Sequence, residues 1–349
     1  MPSDVKRSTS ATAPVEPLIE PPSVKLIVRL FVIPFFIVAV AVGIMFLIGR
    51  MAGGEPTLDE ALARLKSPGG ERTADVLVGP ASKQRYIDAK TVVDKMKLGM
   101  SEAERVTLTR DLIDIIDNYT RSDEGDVRHF MLLALGRAWQ RMPSDPPMDS
   151  PAAIEARQRA MATILKYADD PQIMTRKAAI LSLGFWSNRE EAKQAIPKLI
   201  EKVRDEREDL DVRMAAATSL GPIASPNDAA VLDALRFATR DTDPKDIELV
   251  WDASLSLAQL NQPDSAETIE GLLDRDQLAK VQVYDRDTDP KNPVFRSLSD
   301  AEVQRILINT MIGASKLQVP AVQERIRKLA ESDPSARVRE AAQEVLHSH

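Results

Sequence analysis

The feature that most constrains the fold is a recurring segment, seen best as Asp211-Val-Arg-Met-Ala-Ala-Ala-Thr-Ser-Leu-Gly221. Its apolar and small side chains recur at helical spacing, which predicts an amphipathic helix. Asp211 is predicted to cap the first turn. Residues 126–136 open with the same Asp-Val-Arg and reach Leu-Gly at the same offset. Chance is a poor explanation for both agreements, so the sequence predicts an internal repeat.

Further copies of the Leu-Gly position lie at Leu183-Gly184, Leu257-Ala258, Ile312-Gly313 and, degenerate, Leu346-His347. A second amphipathic segment precedes each copy, at residues 105–119, 152–167, 190–203, 228–239, 265–273 and 319–329. A period of about 34 to 40 residues, lengthened twice by insertions, is typical of helix-pair solenoids. The sequence therefore predicts an all-α solenoid of about six helix pairs.

Composition agrees with closely packed helices and excludes several kinds of function. Hydrophobic residues make up 44% of the chain but aromatic residues only 4%, so Ala and Leu must supply most of the core. The net charge is −7, and no basic stripe with interleaved aromatic residues is present, so no nucleic-acid partner is expected. Without cysteine, disulfides, thiolate catalysis and zinc–thiolate sites are ruled out.

A run from Leu30 to Ile48 contains no charged residue. As a helix it rises about 28 Å, close to the thickness of the hydrocarbon core of a bilayer. We therefore predict a transmembrane anchor at residues 25–50, with membrane contact through 26–48. A buried core helix would not be apolar on all sides. A cleaved signal peptide would have a shorter apolar run and a small-x-small site after it.

The flanking segments complete the predicted organisation. Residues 1–24, rich in Pro, Ser and Thr, are predicted to be a disordered cytoplasmic tail. Basic residues slightly favour the side before the span, which predicts a cytoplasmic N-terminus and an extracytoplasmic solenoid. Residues 51–100 are assigned to a linker and N-terminal capping helices, with a capping-box start at Thr57 and a helix over 83–96. Residues 101–349 form the predicted repeat domain.

Two insertions interrupt the repeat. The Pro-rich segment 143–151 falls between two pairs, whereas 280–299 falls inside the fifth pair, so the two are predicted to emerge on opposite edges. Residues 240–245 and 286–291 are identical hexapeptides, Arg-Asp-Thr-Asp-Pro-Lys. Both lie between the first and second helices of a pair, where Asp and Pro are predicted to form turns.

Paired helices, a Pro-led first helix, and Asp-Val-Arg opening a second helix that contains Leu-Gly resemble HEAT repeats, including the subgroup named for phycobilisome lyases. The resemblance covers about residues 102–346 and is strongest at 126–136 and 211–221. The layout, one anchor followed by degenerate repeats, also resembles uncharacterised membrane-anchored bacterial HEAT-repeat proteins.

The resemblance implies an α-solenoid scaffold in which Asp126, Arg128, Asp211 and Arg213 form a polar ladder between repeats. The pattern departs at three copies, and the ladder is expected to be interrupted there. These copies carry Met174-Thr175, Glu248-Leu249 and Arg337-Val338.

No catalytic residue or cofactor is predicted. Capping and ion pairing account for Asp126 and Asp211 without catalysis. His129 is the sole histidine outside the C-terminal end, and no His-Glu dipeptide of the kind that holds di-iron in some HEAT-fold enzymes occurs. The chain also lacks a glycine-rich phosphate loop between a strand and a helix.

One acidic segment begins like a calcium loop, with Asp285, Asp287 and Asp289 at alternate positions. Pro290 stands where a turn glycine is required and Arg296 where a bidentate glutamate is required, so an EF-hand is excluded. A looser cation site that also uses Asp300 and a solvated acidic loop remain as alternatives.

Trp139, Phe185, Trp186, Phe237 and Trp251 lie near the ends or faces of predicted repeat helices. Core filling is expected for most of them. Trp186 and Trp251 are the candidates for anchors that bind a partner, because aromatic residues concentrate binding energy at interfaces.

These observations favour a membrane-anchored, non-enzymatic scaffold that binds a protein or peptide partner. Two alternatives stay open. The first is a lyase-like HEAT enzyme or chromophore-handling protein. The second is a structural protein of the cell envelope that associates with itself.

Overall fold

The computed structural model describes residues 56–67, 81–96, 99–141, 145–187, 189–286, 288 and 292–347. Those from Thr57 onward belong to one compact unit. The predicted tail and membrane anchor lie outside the described residues. Among the described residues, none of the helices is both long and apolar enough to cross a bilayer.

The described residues form seven helix pairs, the six predicted from the repeat and one more at the N-terminal end. The pairs are α1 (Leu58–Lys66) with α2 (Ala81–Lys95), α3 (Glu102–Asp114) with α4 (Gly125–Ala138), α5 (Pro151–Tyr167) with α6 (Ile173–Gly184), α7 (Ile196–Arg204) with α8 (Leu210–Ile223), α9 (Ala229–Ala238) with α10 (Ile247–Gln259), α11 (Ala266–Leu272) with α13 (Asp300–Gly313), and α14 (Pro320–Ser332) with α15 (Ala336–His347).

The second helices pack side by side in one layer, each against the second helix of the next pair. The first helices form the other layer, where α3 contacts α5 and α7 contacts α9. The extra pair continues this pattern because α2 packs on both α1 and α4. The predicted α-solenoid is therefore confirmed for the described residues.

Short polar motifs in the sequence determine where several helices begin. In three capping boxes a hydroxyl accepts from the backbone N–H three residues on, and a glutamate accepts from the cap's own N–H. These are Thr57 with Glu60, Ser101 with Glu104, and Ser299 with Glu302. Helix α5 begins with Ser150 as cap and Pro151 in the first turn. These side chains satisfy N–H groups that have no partner inside the helix.

The Leu-Gly positions mark where neighbouring second helices approach most closely. A Cβ atom at Gly136 would lie 2.7 Å from Cβ of Ser182, and one at Gly184 would lie 2.9 Å from Oγ of Ser219. The serines also donate hydrogen bonds to carbonyls of the preceding second helix: Ser182 to Leu132 (2.8 Å), Ser219 to Ile180 (3.0 Å) and Ser256 to Ala217 (2.8 Å). Only glycine opposite a small residue allows this spacing.

The insertion between α11 and α13 is not all helix. It contains the short helix α12 (Arg275–Leu278) and two antiparallel strands, β1 (Gln282–Tyr284) and β2 (Phe295–Ser297). The all-α prediction is wrong for this segment. Val283 is buried between exposed or half-buried neighbours, as expected for a strand with alternating faces. The alternation is too short to stand out from a loop in the sequence.

The two insertions contact opposite edges of the stack. Asp145 of the Pro-rich segment pairs with Arg105 beside the end of α4, at 3.0 Å. Arg286, in the connection between β1 and β2, instead pairs with Asp211 near the start of α8. The second hexapeptide therefore begins in a hairpin connection rather than at a helix cap.

Candidate partner-binding surface on the second helices

A row of arginines connects successive second helices. Each arginine binds a carboxylate in the turn before the second helix of the next pair, and we call this row the arginine ladder. Its rungs are Arg85 with Glu124 (2.6 Å), Arg128 with Asp170 (4.0 Å), Arg176 with Glu208 (2.8 Å) and Arg213 with Asp246 (3.0 Å). Consecutive copies of the repeat are thereby held in a constant register.

Of the four residues that the resemblance placed in a polar ladder between repeats, Arg128 and Arg213 form rungs, Asp211 makes a different contact between repeats, and Asp126 belongs to none of the four rungs. Asp126 is exposed at the start of α4. Asp211 does not cap α8, because the helix starts at Leu210 and the side chain of Asp209 accepts from the N–H of Asp211. Asp211 instead binds Lys177 of α6 at 2.7 Å.

The expected interruptions of the ladder are found in part. Arg176 makes a rung although Met174-Thr175 replaces Asp-Val, because the arginine alone carries the contact. At the copy with Glu248-Leu249 the ladder is interrupted as expected, because Val250 stands at the arginine position in α10. At the end of the stack, Arg339 donates to the carbonyl oxygens of Asp333 (2.5 Å) and Pro334 (3.2 Å), within its own pair.

The last full rung carries more negative charge than Arg213 can balance. The buried guanidinium of Arg213 lies 3.0 Å from a carboxylate oxygen of Asp246 and 3.5 Å from one of Asp241. Burial, strengthened by the neighbouring Asp241, raises the pKa of Asp246 to about 6. One of the two carboxyls is therefore about half protonated near pH 6.

Aromatic side chains on the outer side of the layer connect three successive second helices. The ring of Tyr86 in α2 meets that of Phe130 in α4 edge-on, with centroids 5.4 Å apart. Phe130 in turn meets His129 at 5.2 Å, and His129 Nδ1 lies 3.2 Å from the carbonyl oxygen of Met174 in α6. We call Tyr86, His129, Phe130 and Met174 the aromatic patch.

The aromatic patch is accessible although it is largely apolar. Tyr86 is 40% exposed and Met174 is 48% exposed. Ile87 and Ile173, their neighbours in the chain, are also large exposed hydrophobic residues. Contiguous exposed apolar surface is the kind of surface that binds other proteins.

Charged side chains replace the apolar ones farther along the same layer. Arg286 crosses over from the hairpin and binds both Asp211 of α8 and Glu248 of α10. Burial, together with the negative charge of Glu248, raises the pKa of Asp252 to about 7, against a hydrogen bond from Thr218. The hairpin therefore covers an acidic surface and leaves the aromatic patch open.

The predicted tryptophan anchors behave differently from each other. Trp186 is fully buried, so the prediction that it contacts a partner is wrong and the core-filling alternative is correct. Its indole N–H has no acceptor among the described residues. The equivalent indole of Trp139 donates to Thr109 at 2.8 Å. Trp251 is half-buried and packs against the C-terminal core, and its role as an anchor stays a prediction.

The proposed loose cation site gains no support from the part of it that is described. Asp300 binds Arg275 at 2.8 Å, which commits its carboxylate elsewhere. Asp287 and Asp289 lie outside the described residues. No group of His, Asp or Glu suited to a metal occurs in the described part of the chain.

A cavity of about 150 Å³ lies between α3 and α5. Its wall includes Arg110, Glu155 and Arg159 beside apolar side chains. Pockets that enclose a small molecule usually measure about 300 Å³ or more. This cavity is therefore a poor match for a chromophore-sized ligand.

Sequence reasoning missed the aromatic patch. A usable signal was present, because Tyr86 and His129 each directly follow a ladder arginine. The residue directly after the ladder arginine points away from the core in every regular copy of the repeat. Recognising it required Arg85 as the first rung, and the helix that contains Arg85 had been assigned only as a cap.

The family model for HEAT repeats matches residues 161–248. Among solved structures, the chain is similar to the complex of CpcE and CpcF of phycocyanin lyase from Nostoc sp. PCC7120. The identity is 14%, the match covers 85% of this chain and 96% of that chain, and the TM-score is 0.45. It is also similar to human deoxyhypusine hydroxylase in complex with glycerol, with 14% identity, 86% and 98% coverage, and a TM-score of 0.28.

No curated protein matches the chain. The match of residues 161–248 includes α6, α7, α8 and α9, together with two ladder arginines, Arg176 and Arg213. This chain therefore contains HEAT repeats over residues 161–248.

Proposed function

We propose that the chain is a membrane-anchored, non-enzymatic scaffold that binds a protein or peptide partner on the outer side of its second helices. The aromatic patch is the observation that carries this proposal. Its side chains come from three successive helices, so a partner that lies across the layer contacts several repeats at once. Such extended surfaces are the way in which helix-pair solenoids bind.

The chemistry of the patch favours a partner with apolar side chains. Tyr86 exposes a ring and Met174 a thioether, the ring of Phe130 is half-buried, and His129 adds an imidazole. Aromatic and methionine side chains are enriched at the centres of interfaces. An amphipathic helix or an extended apolar segment of the partner fits this surface.

The membrane part of the proposal rests on sequence. The uncharged run from Leu30 to Ile48 supplies the anchor, and the excess of basic residues before it favours a cytoplasmic N-terminus. The repeats then lie on the extracytoplasmic side. An anchored solenoid concentrates its partner at the membrane without catalysing a reaction.

A crosslinking experiment tests the binding surface directly. A photo-reactive amino acid is placed at Tyr86 or Met174 in the full-length protein, in cells. Matched controls carry it at Ile154 or Phe237, which lie on first helices and are each 37% exposed. We expect one and the same partner to be crosslinked from both patch positions and not from the controls.

A Tyr86→Ala, Met174→Ala double variant should lose this partner while retaining its thermal stability. Crosslinks that appear equally at Ile154 and Phe237 would move the binding surface to the other layer. Turnover of a small molecule by the purified protein would contradict the non-enzymatic assignment.

Fractionation of cells tests the anchor separately. The full-length protein should sediment with membranes, and deletion of residues 30–48 should release it. Protease added to spheroplasts, in which the membrane is intact and its outer face accessible, should digest the repeats. Protection of the repeats would reverse the proposed topology, and a soluble full-length protein would remove the anchor.

A further inference from the structure

Four arginines gather at the edge of the stack where α4 and α6 end. Arg141 and Arg189 follow these helices, each thirteen residues after a ladder arginine. Arg105 and Arg157 reach the same edge from α3 and α5. Parallel neighbouring helices end at one edge, so equivalent positions of successive repeats are brought together there.

Two of the four arginines are fully engaged by the protein. Arg105 is buried and donates to the carbonyl oxygens of Ala138 (2.8 Å) and Gln140 (3.0 Å), besides its ion pair with Asp145. These contacts satisfy the carbonyl groups at the end of α4. Arg105 therefore has a structural role.

Arg157 is engaged in the same way. It is buried, its Nε lies 2.6 Å from Glu191, and it also donates to the carbonyl oxygen of Met148. Its guanidinium carbon lies 5.6 Å from the centre of the Trp139 ring. Glu191, a carboxylate close to Arg189, is thus already paired with Arg157.

Arg189 differs from both. Its Nε is buried and has no hydrogen-bond acceptor among the described residues. Burial and the positive charges of Arg157, Arg141 and Arg105 lower the pKa of Arg189, although Glu191 acts in the opposite direction. A buried donor without an acceptor destabilises the folded state, and more so when it is charged.

Arg128, a buried arginine, shows that the absence of an Nε partner is not sufficient by itself, and Arg189 as a residue is only half-buried. Arg128 also has a free Nε, but its guanidinium lies 4.0 Å from Asp170 and stacks over Tyr167. Arg189 has neither kind of compensation in the described part of the chain. Its position adds an unbalanced positive charge to an edge that already holds three arginines.

We propose that Arg189, assisted by Arg141, binds an oxyanion group of the carboxylate or phosphate class at this edge. The Nε and one Nη of a guanidinium present two parallel N–H groups that match two oxygens of such a ligand. The ligand supplies the acceptor that Arg189 lacks and offsets the positive charge of Arg189 and Arg141, since Arg105 and Arg157 are already paired with carboxylates. The site is separate from the aromatic patch. Its test therefore does not depend on whether the proposed partner binds the patch.

Titration calorimetry with the full-length protein tests the site. The probes are inorganic phosphate and N-acetylglycine, each at constant ionic strength adjusted with chloride. Arg189→Gln removes the charge at nearly constant size, and Arg207→Gln is the matched control at an exposed arginine. We expect binding of at least one probe, weakened about tenfold or more by Arg189→Gln and unchanged by Arg207→Gln.

The two probes identify the source of the ligand, since preference for phosphate indicates a phosphoryl group and preference for N-acetylglycine a carboxylate. Thermal unfolding without ligand supplies a second readout. Arg189→Gln should leave the midpoint unchanged or raise it, because no contact is lost and like-charge repulsion is relieved. Absence of binding by both probes would overturn the site. So would equal binding by Arg189→Gln, or a fall in its midpoint as large as that of Arg157→Gln.

Discussion

The stack has two parts that hold their helix pairs together by different means. One continuous core includes buried residues from Ala61 to Leu260, and a second includes those from Ala258 to Val345, so the two meet at α10. In the first part the arginine ladder runs from α2 to the turn before α10, and the Gly–Ser contacts run from α4 to α10. Among the described residues of the second part, neither kind of contact recurs. The insertion between α11 and α13 supplies polar contacts between helix pairs there.

The buried carboxylate of the last turn shows how the irregular part compensates. Asp333 lies before α15, where the regular copies place the carboxylate of a rung. Its partner is not a residue of α13 but Arg275 of α12, which binds both carboxylate oxygens at 2.8 and 2.9 Å. The same electrostatic requirement, an ion partner for a buried carboxylate, is thus met from a different position in the chain.

Arg286 links the two parts across their boundary. It belongs to the insertion of the second part and forms ion pairs with Asp211 and Glu248 of the first part. Because Val250 removes the ladder contact at this boundary, the hairpin supplies a polar link where the repeat does not.

The largest effects are expected from removing an arginine that neutralises a half-buried carboxylate, Asp246, or a buried one, Asp333. Arg213→Met and Arg275→Met should each lower the free energy of unfolding by about 3 kcal/mol, since each strands a carboxylate. Arg339→Met should cost only about 1 kcal/mol, because its partners are backbone carbonyls. Urea denaturation of the three variants measures this. A cost for Arg275→Met as small as that of Arg339→Met would show that the insertion does not replace the rung.

Glycine substitutions come next in size and separate the two parts more sharply. Gly136→Ala places a methyl group 2.7 Å from the backbone carbonyl oxygen of Ser182 and should cost about 2 kcal/mol. In the second part, an alanine Cβ at Gly271 would meet only the side chain of Gln277 at 3.4 Å. Gly271→Ala should therefore be neutral or stabilising by about 0.5–1 kcal/mol. The denaturation midpoints of the two variants test this comparison. Equal losses of stability in both would contradict the close approach of α4 and α6 at Gly136.

The pH dependence of stability should have opposite signs in the two parts. The raised pKa values of Asp246 (about 6) and Asp252 (about 7) favour the protonated carboxyls in the folded state. Their stabilisation is complete below the unfolded pKa of 3.8 and is lost as the pH rises through 6 and 7. Hydrogen bonds from Arg296 and Ser299 hold the pKa of Glu302 at about 2. Its stabilisation is present above 4.5 and is lost as the pH falls through 2.

Unfolding measured between pH 2 and pH 8 tests these signs. Asp252→Asn should flatten the profile between pH 4 and pH 7, and Glu302→Gln should flatten it below pH 4.5. If Asp252→Asn changed the stability only below pH 4, the raised pKa of Asp252 in the folded state would be contradicted.

The smallest effect on total stability is expected for Arg286→Ala. Its side chain is 34% exposed, and partly exposed ion pairs contribute about 1 kcal/mol or less. Hydrogen exchange should nevertheless increase in the hairpin and at the start of α10, because the link across the boundary is lost. Arg296→Ala, which breaks a hairpin ion pair within the second part, is the control. Equal exchange in the two variants would show that Arg286 does not couple the two parts.

Local patterns in the chain were sufficient to predict the helices themselves. The periodic apolar positions and the capping motif at Thr57 predicted six pairs and the start of α1, because helical spacing and caps involve residues within a few positions of one another. The two insertions were also recognised from their composition and position.

Contacts between repeats were decided only by the tertiary structure. The burial of Trp186, the carboxylate partners of Arg176 and Arg213, and the reach of Arg286 depend on how far each turn and insertion extends toward the next pair. Those distances come from the packing of whole helices and leave no periodic signal. The sequence by itself therefore determined which segments become helices, whereas the packing determined which side chains meet across the stack.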